Sequence, residues 1–261
     1  MADTPFGRYS LTMLGAFEQY SFRREKRRKG TLLRSIVKFL LIVFILYFAV
    51  TALLVVPFRV RSVSMTPGVM VNDRVLTSPL IYGIKLPLFL KGFKGFDKPK
   101  RGDLIVLTPP YYPQMHLMYR ILDPLVRFFS LQQEYLHPET KGENLERHLI
   151  KRVIGVPGDT VRMENYYAYI KPENVESYQK ETELITEEYQ ISTELDAPNW
   201  PGGLPFSGNM EALLLRENEY FVLGDNRVHS SDSKSWGAVP YSRITAKVFF
   251  RYWPIQRIGR L

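Results

Sequence analysis

The 261-residue chain contains no cysteine, which excludes a disulfide framework, a thiolate nucleophile and any cysteine-held metal site. Compartment stays open, because a cysteine-free chain suits either side of a bacterial membrane. Histidine is scarce: His116, His137, His148 and His229 are the four present. No two have the i, i+4 spacing of a helical zinc site and no HExxH occurs, so neither a metal nor another cofactor is expected. A GxSxG nucleophile elbow, internal repeats and long low-complexity tracts are also missing. Excess basic charge is nearly absent from most of the chain. Of the formal net charge of +9, residues 1–38 carry +6, with nine Lys/Arg against Asp3, Glu18 and Glu25. The rest holds 26 basic and 23 acidic residues. With no aromatic-interleaved basic stripe and no RNA-binding signature, nucleic acid is not an expected partner.

What is present begins with a 20-residue apolar run, Phe39 to Phe58, with Thr51 as its one clearly polar residue. At about 1.5 Å per residue a helix of that length reaches about 30 Å, the thickness of a hydrocarbon core. The cluster Arg23-Arg24-Glu25-Lys26-Arg27-Arg28-Lys29 precedes it, as the positive-inside tendency requires of a cytoplasmic flank. Ala49-Val50-Thr51 imitates a cleavage site, but Ala52-Leu53-Leu54-Val55-Val56 continues the apolar run, so an uncleaved anchor is predicted. The organisation expected is a basic cytoplasmic segment 1–38, a transmembrane anchor 39–58 and an extracytoplasmic domain 59–261. A composition 45% hydrophobic permits one sizeable core in that domain and room for a second lobe. Short β-prone runs fill it: Arg74–Thr77, Asp103–Leu107, Leu149–Ile154, Tyr166–Ile170 and Tyr220–Leu223, many of them separated by Gly and Pro. Stretches of about 111–147 and 172–216 interrupt this pattern, the second polar and containing the loop Asn199-Trp200-Pro201-Gly202-Gly203.

Three stretches can carry chemistry. In Arg61-Ser62-Val63-Ser64-Met65-Thr66-Pro67-Gly68, two serines one residue apart project on the same side if the segment is extended, and Pro-Gly then forces a turn. A serine is a poor nucleophile until a base takes its proton. Lys151 is a candidate base, because on a strand it shares a face with Leu149 and Val153, where burial disfavours the ammonium. Arg152 must then point the other way. Val156-Pro157-Gly158-Asp159 has the signature of a type II turn. The third stretch, Gly224 to Gly237, is dense in turn formers and by itself reads as a solvated loop.

Taken together, these stretches resemble the bacterial type I signal peptidase (leader peptidase) family. Ser62-Val63-Ser64-Met65-Thr66-Pro67 is similar to its SxSMxP box, and Lys151 through Asp159 to its KRxxGxPGD box. Gly224-Asp225-Asn226-Arg227 through Ser230, Asp232, Ser233, Trp236 and Gly237 is similar to its GDNRxxSxDSRxWG box, and Arg101-Gly102-Asp103 to a weaker fourth. The resemblance covers residues 39 to about 110, 148–170 and 217–261. It implies a mainly β fold, a β-rich catalytic domain after one N-terminal transmembrane helix. It also implies a single-pass protein of the bacterial cytoplasmic (inner) membrane, with its catalytic domain on the outer face. The activity implied is a serine endopeptidase that removes signal peptides from exported preproteins, cleaving after a small residue through an acyl-enzyme. The partners implied are those signal peptides and the lipid bilayer. By the same resemblance Ser64 is the nucleophile, Lys151 the general base, and the Ser62 hydroxyl with the Ser64 N–H the oxyanion hole. Ser230 would hydrogen-bond and aim the lysine, and Val60, Met65, Val69 and Ile150 would shape shallow pockets for small side chains. Asp225 and Asp232 match acidic positions read as loop-holding partners of Arg or Lys. Gly68, His229 and Lys234 stand where the family usually has Thr, Asn and Arg, which touches loop rigidity, and Lys234 threatens a bidentate carboxylate contact.

Two other readings compete. Ser231-Asp232-Ser233-Lys234 and Ser35-Ile36-Val37-Lys38 fit the S-x-x-K that opens a penicillin-binding set, but its S-D-N and K-T-G are absent. A membrane-tethered non-catalytic homologue or adaptor would keep the fold and bind exported chains without cutting. The resemblance leaves residues 115–136 unexplained. There Asp123 before Pro124 predicts a helix start, with Leu125, Phe128, Phe129, Leu131, Tyr135 and Leu136 on one broad face. Ordinary packing of that helix competes with a place in the outer membrane interface.

Overall fold

The computed structural model describes residues 31–47, 49–50, 55–84, 93–113, 117–129, 136, 147–193 and 208–261. The basic cluster at 23–29, the loop at 199–203, and Leu131 and Tyr135 of the expected helical face lie outside them. The chain divides between residues 49 and 50 into two compact units. In the first, residues 31–47 form helix α1, and Phe39, Leu40, Leu41, Ile42, Ile45 and Leu46 are all exposed. Among the described residues no helix is long and apolar enough to cross a membrane.

The second unit is mainly β. Strand β1 (Val56–Arg59) takes the last three residues of the apolar run, and Val56–Phe58 pair with a neighbouring strand. The further strands are β2 (Arg74–Ser78), β3 (Gly83–Ile84), β4 (Phe93–Lys94), β5 (Leu104–Leu107), β6 (Leu149–Gly155), β7 (Thr160–Glu164) and β8 (Tyr167–Lys171). After them come β9 (Gln179–Lys180), β10 (Met210–Leu214), β11 (Glu219–Leu223), β12 (Val239–Pro240), β13 (Ile244–Trp253) and β14 (Gly259–Arg260). The principal sheet runs β1-β2-β13-β5-β6-β11-β12, with β14 on β13, and a second sheet runs β10-β7-β8-β9. All five β-prone runs are strands to within one or two residues. Their β-branched and aliphatic content suits a buried pleat: β5 and β6 are buried along their whole length.

Three buried clusters fill the unit. One joins Val60, Met65, Val69, Val75, Leu104, Val106, Ile150, Ala246 and Val248. A second includes Ile105, Leu107, Leu149, Val153, Tyr220 and Val222. The third packs the second sheet through Val161, Met163, Ala168, Ile170 and Leu215 against Ile154, Phe221 and Leu223.

Helix α2 (Leu117–Phe129) corrects the expected start at Asp123-Pro124. Apolar spacing continues upstream through Met118 and Leu122, so the helix begins there, and Pro124 sits inside it at the expense of one backbone hydrogen bond. Asp123 is buried and does not cap the helix. Its carboxylate accepts the Leu136 N–H at 3.0 Å and Arg147 at 3.3 Å. Met118, Leu122, Leu125 and Phe129 are exposed.

Candidate active site

The connection between β1 and β2, residues 60–73, carries the serine box. Its neck is closed by Val60 N–H to the Asp73 carbonyl and Asn72 N–H to the Val60 carbonyl, both 2.9 Å. Inside it, Val63–Met65 form a 3-10 turn instead of the extended segment expected. The reason is local: Ser62 sits at the N-cap, and its Oγ accepts the Ser64 N–H at 3.1 Å. The loop is also tied from outside. Asp73, fully buried, accepts from the Met70 N–H at 2.9 Å and Arg257 Nη2 at 2.6 Å, while Arg251 Nη1 donates to the Gly68 carbonyl at 2.9 Å.

Lys151 comes from the middle of β6, opposite Ile105 of β5. Leu149 and Val153, which share its side of the strand, belong to the second cluster, so the aliphatic stem runs through apolar surroundings. Its Nζ and the Ser64 Oγ are hydrogen-bonded at 2.7 Å, with Lys151 1% and Ser64 7% exposed. Two residues separated by 87 positions thus meet as a hydroxyl and an amine in a nearly dry environment.

Arg152 does point the other way. It forks onto Asp225, Nε to Oδ1 and Nη2 to Oδ2 at 2.8 Å each, and donates to the Gly102 carbonyl at 2.9 Å. Val156–Asp159 forms the expected turn, with Asp159 N–H on the Val156 carbonyl at 3.1 Å and Gly158 at φ +89°. Asp159 in turn takes a fork from Arg101.

The stretch 224–237 is not the solvated loop expected. Asp225, Arg227, Ser230, Asp232 and Ser233 are all buried, because each charge is neutralised by a partner. Asp232 caps the short helix α4 (Ser233–Trp236) and accepts Lys234 Nζ on both oxygens at 3.1 Å. Lysine therefore reaches both carboxylate oxygens here without a guanidinium fork, and donates to the Ser230 carbonyl as well. Burial pushes the Lys234 ammonium below its ordinary value, against the pull of Asp232. Gly224 is required by close approach: a Cβ there would lie 2.3 Å from Ser230 Oγ and 2.4 Å from the Ser64 carbonyl oxygen. The Asn226 N–H donates to that same carbonyl at 3.1 Å. The Ser230 hydroxyl is buried beside Ser64 but makes no hydrogen bond among the described residues, so the expected bond to Lys151 is not formed in this structure.

A cleft of about 830 Å³ opens on Ser62 and Ser64, with Val60, Met65, Val106, Ile150 and Ala246 in its apolar wall. Val69 is fully buried in the adjoining cluster and is not among the residues lining the cleft. Among the described residues no group of acidic residues and histidines is placed to hold a metal ion.

Sequence reasoning missed Glu181, Tyr189 and Ser192. Helix α3 (Glu181–Leu184) buries Glu181 completely. Its Oε1 accepts from the Ala168 N–H at 2.9 Å and Arg227 Nη1 at 2.6 Å, and its Oε2 from Tyr189 Oη at 2.6 Å and Arg227 Nη2 at 2.7 Å. Burial opposes the Arg227 charge, but Glu181 outweighs it and the net shift of the guanidinium is upward. Nothing in a polar stretch rich in Glu and Tyr marks these residues, since the motif residues they meet, Arg152, Asp225 and Arg227, lie tens of positions away.

A family model described as signal peptidase, peptidase S26, matches residues 33–253. The chain is 26% identical over 202 residues to "Probable signal peptidase I-2" of Synechocystis sp., covering 77% of this chain and 65% of that protein. It is 27% identical over 238 residues to signal peptidase I of Haemophilus influenzae, covering 80% and 66%. It is also 27% identical over 238 residues to signal peptidase I P of Bacillus subtilis subsp. natto, covering 91% and 97%. The chain thus spans slightly less than two thirds of the length of the first two.

Proposed function

The chain belongs to the signal peptidase, peptidase S26, family, and from that premise we propose that it is a membrane-anchored endopeptidase that removes signal peptides from exported preproteins. One observation carries the reading: the buried 2.7 Å contact between Lys151 Nζ and the Oγ of Ser64, a residue that lines an open cleft. Desolvation favours the neutral amine at Lys151, which then accepts the proton of the Ser64 hydroxyl. Ser64 Oγ attacks the carbonyl carbon of the scissile bond, giving a tetrahedral intermediate. Lys151 returns the proton to the departing amine as the C–N bond breaks, leaving an ester on Ser64. A water deprotonated by Lys151 attacks that ester, and the returned proton regenerates the Ser64 hydroxyl.

The oxyanion is held by the Ser64 N–H and the Ser62 hydroxyl. At rest the Ser62 Oγ accepts that N–H, so binding requires the N–H to exchange its partner for the substrate oxygen while the Ser62 hydroxyl donates beside it. Ser230, with its buried hydroxyl unused, is assigned the orienting role toward Lys151. Val60, Met65 and Ile150 favour a small residue before the cut, and Val69 backs them from the core. The exposed apolar side chains of α1 suit an anchor, and the basic cluster at 23–29 suits a cytoplasmic N-terminus with the peptidase unit on the outer face.

The test is cleavage of a preprotein in detergent by wild type beside Ser64→Ala. The expected result is a mature product of defined N-terminus from wild type and none from Ser64→Ala at equal folded concentration. Equal cleavage by both, or binding without cleavage by wild type, would overturn the reading.

A further inference from the structure

The 172–193 part of the second interrupting stretch matches none of the motifs. Its contacts converge on one place. The Ser192 N–H donates to the Asp225 carbonyl and the Arg227 N–H donates to the Ser192 carbonyl, both at 2.9 Å. This parallel bridge brackets Asn226, whose own N–H is left to hold the Ser64 carbonyl at 3.1 Å. Glu181 fixes the other side of the same turn, because Arg227, gripped by both carboxylate oxygens, donates from Nε to the Gly224 carbonyl at 2.9 Å. Gly224 is the residue against which the Ser64 carbonyl and Ser230 pack. Tyr189 joins the two halves. Its hydroxyl donates to Glu181, and its ring lies 4.2 Å from the guanidinium carbon of Arg152, the residue after Lys151. Burial and the Glu181 charge raise the Tyr189 phenol well above its ordinary value, so it stays a donor.

We infer that Glu181 and Tyr189 are positioning residues for the Ser64–Lys151 pair. They fix the backbone of Gly224–Arg227, which fixes the Ser64 carbonyl from one side, while Tyr189 supports the strand of Lys151 through Arg152. The inference rests on the dyad reading above. Its chemical content is geometric: a nucleophile displaced by about 1 Å loses about 10²-fold in rate, and the carbonyl of the nucleophile itself is what this brace holds.

The experiment uses the full chain in detergent. Glu181→Gln, Tyr189→Phe and, as a control on the same segment, Tyr178→Phe are compared with wild type for melting temperature, kcat and KM on a preprotein. Hydrogen exchange of peptides covering 60–69 and 224–230 is followed in parallel, at a temperature where each variant is fully folded. The expected result is a kcat lowered about 10²-fold in Glu181→Gln and about tenfold in Tyr189→Phe, with KM unchanged. Exchange in both peptides accelerates in these two variants, and Tyr178→Phe matches wild type. Tyr189→Phe keeps its ring under Arg152 and folds, so it decides the question should Glu181→Gln unfold. Wild-type kcat in folded Tyr189→Phe, or unchanged exchange around Ser64, overturns the inference and leaves the segment a brace for stability alone. A wild type that does not cleave preprotein sinks the dyad reading instead, and the exchange comparison still decides whether the segment holds Ser64.

Discussion

Two guanidinium–carboxylate forks flank Asn226, and they differ in where their acids come from. The Arg152–Asp225 fork joins the box that carries Lys151 to the box that opens at Gly224, and it is made at 2.8 Å on both arms. The Arg227–Glu181 fork joins a box to the intervening segment, at 2.6 and 2.7 Å, with both side chains fully buried. Each removes two charges from water, and attraction in a dry interior offsets that cost only when the remaining lone pairs and N–H groups are also satisfied. They are: Arg152 has the Gly102 carbonyl, Arg227 has the carbonyls of Gly224 and Tyr166, and Glu181 has Ala168 and Tyr189. The comparison teaches that the frame of the site is shared between motif and non-motif sequence. Motif residues bring Ser64 and Lys151 together, and a segment without a signature ties down the turn whose Asn226 N–H holds the Ser64 carbonyl.

The largest effect should come from breaking the motif fork. Asp225→Ala leaves Arg152 buried without its carboxylate, a change of about 3–5 kcal/mol. For a chain of this size that lowers the melting temperature by about 10 °C, checked by thermal denaturation in detergent. The same measurement on Glu181→Ala should give a drop of similar size, because that fork is at least as buried. A drop of only a degree or two in one of them would mean that the two forks are not equivalent in weight.

A smaller effect should follow from Gly68→Ala. A Cβ at Gly68 would lie 2.7 Å from Asp225 Oδ2, and that oxygen is held by Arg152 and cannot swing away freely. Overpacking of this kind destabilises by about 1–3 kcal/mol, read as a melting temperature lowered by a few degrees. An unchanged melting temperature would indicate a fork that gives way, so the motif pair would be the softer of the two. The departure at Gly68 from the threonine of the family pattern would then have no structural consequence.

Much of the frame was legible locally. β6 was visible in Leu149–Ile154, the turn in Val156–Asp159, and the lysine's apolar side of its strand in Leu149 and Val153. What escaped was decided by contacts between distant residues or by competition within a few residues. The serine box suggested an extended segment, but a serine at an N-cap favours a turn that uses its hydroxyl, and Ser62 takes that option. Residues 224–237 read as solvated when each polar side chain is taken singly. Arg152 and Glu181, 73 positions before Asp225 and 46 before Arg227, are what bury them. Asp123-Pro124 mimicked a helix start, and the upstream apolar residues overruled it.

The central claim is that Lys151, uncharged, takes the proton of Ser64. Its most direct measurement is the kcat of Lys151→Arg for preprotein cleavage in detergent, beside wild type and at matched folded fraction. Arginine keeps length and hydrogen-bonding capacity but stays protonated at any accessible pH, so it can hold Ser64 without acting as a base. The account predicts a loss of several orders of magnitude in kcat. Turnover near that of wild type would contradict it, because no base would then be needed at position 151.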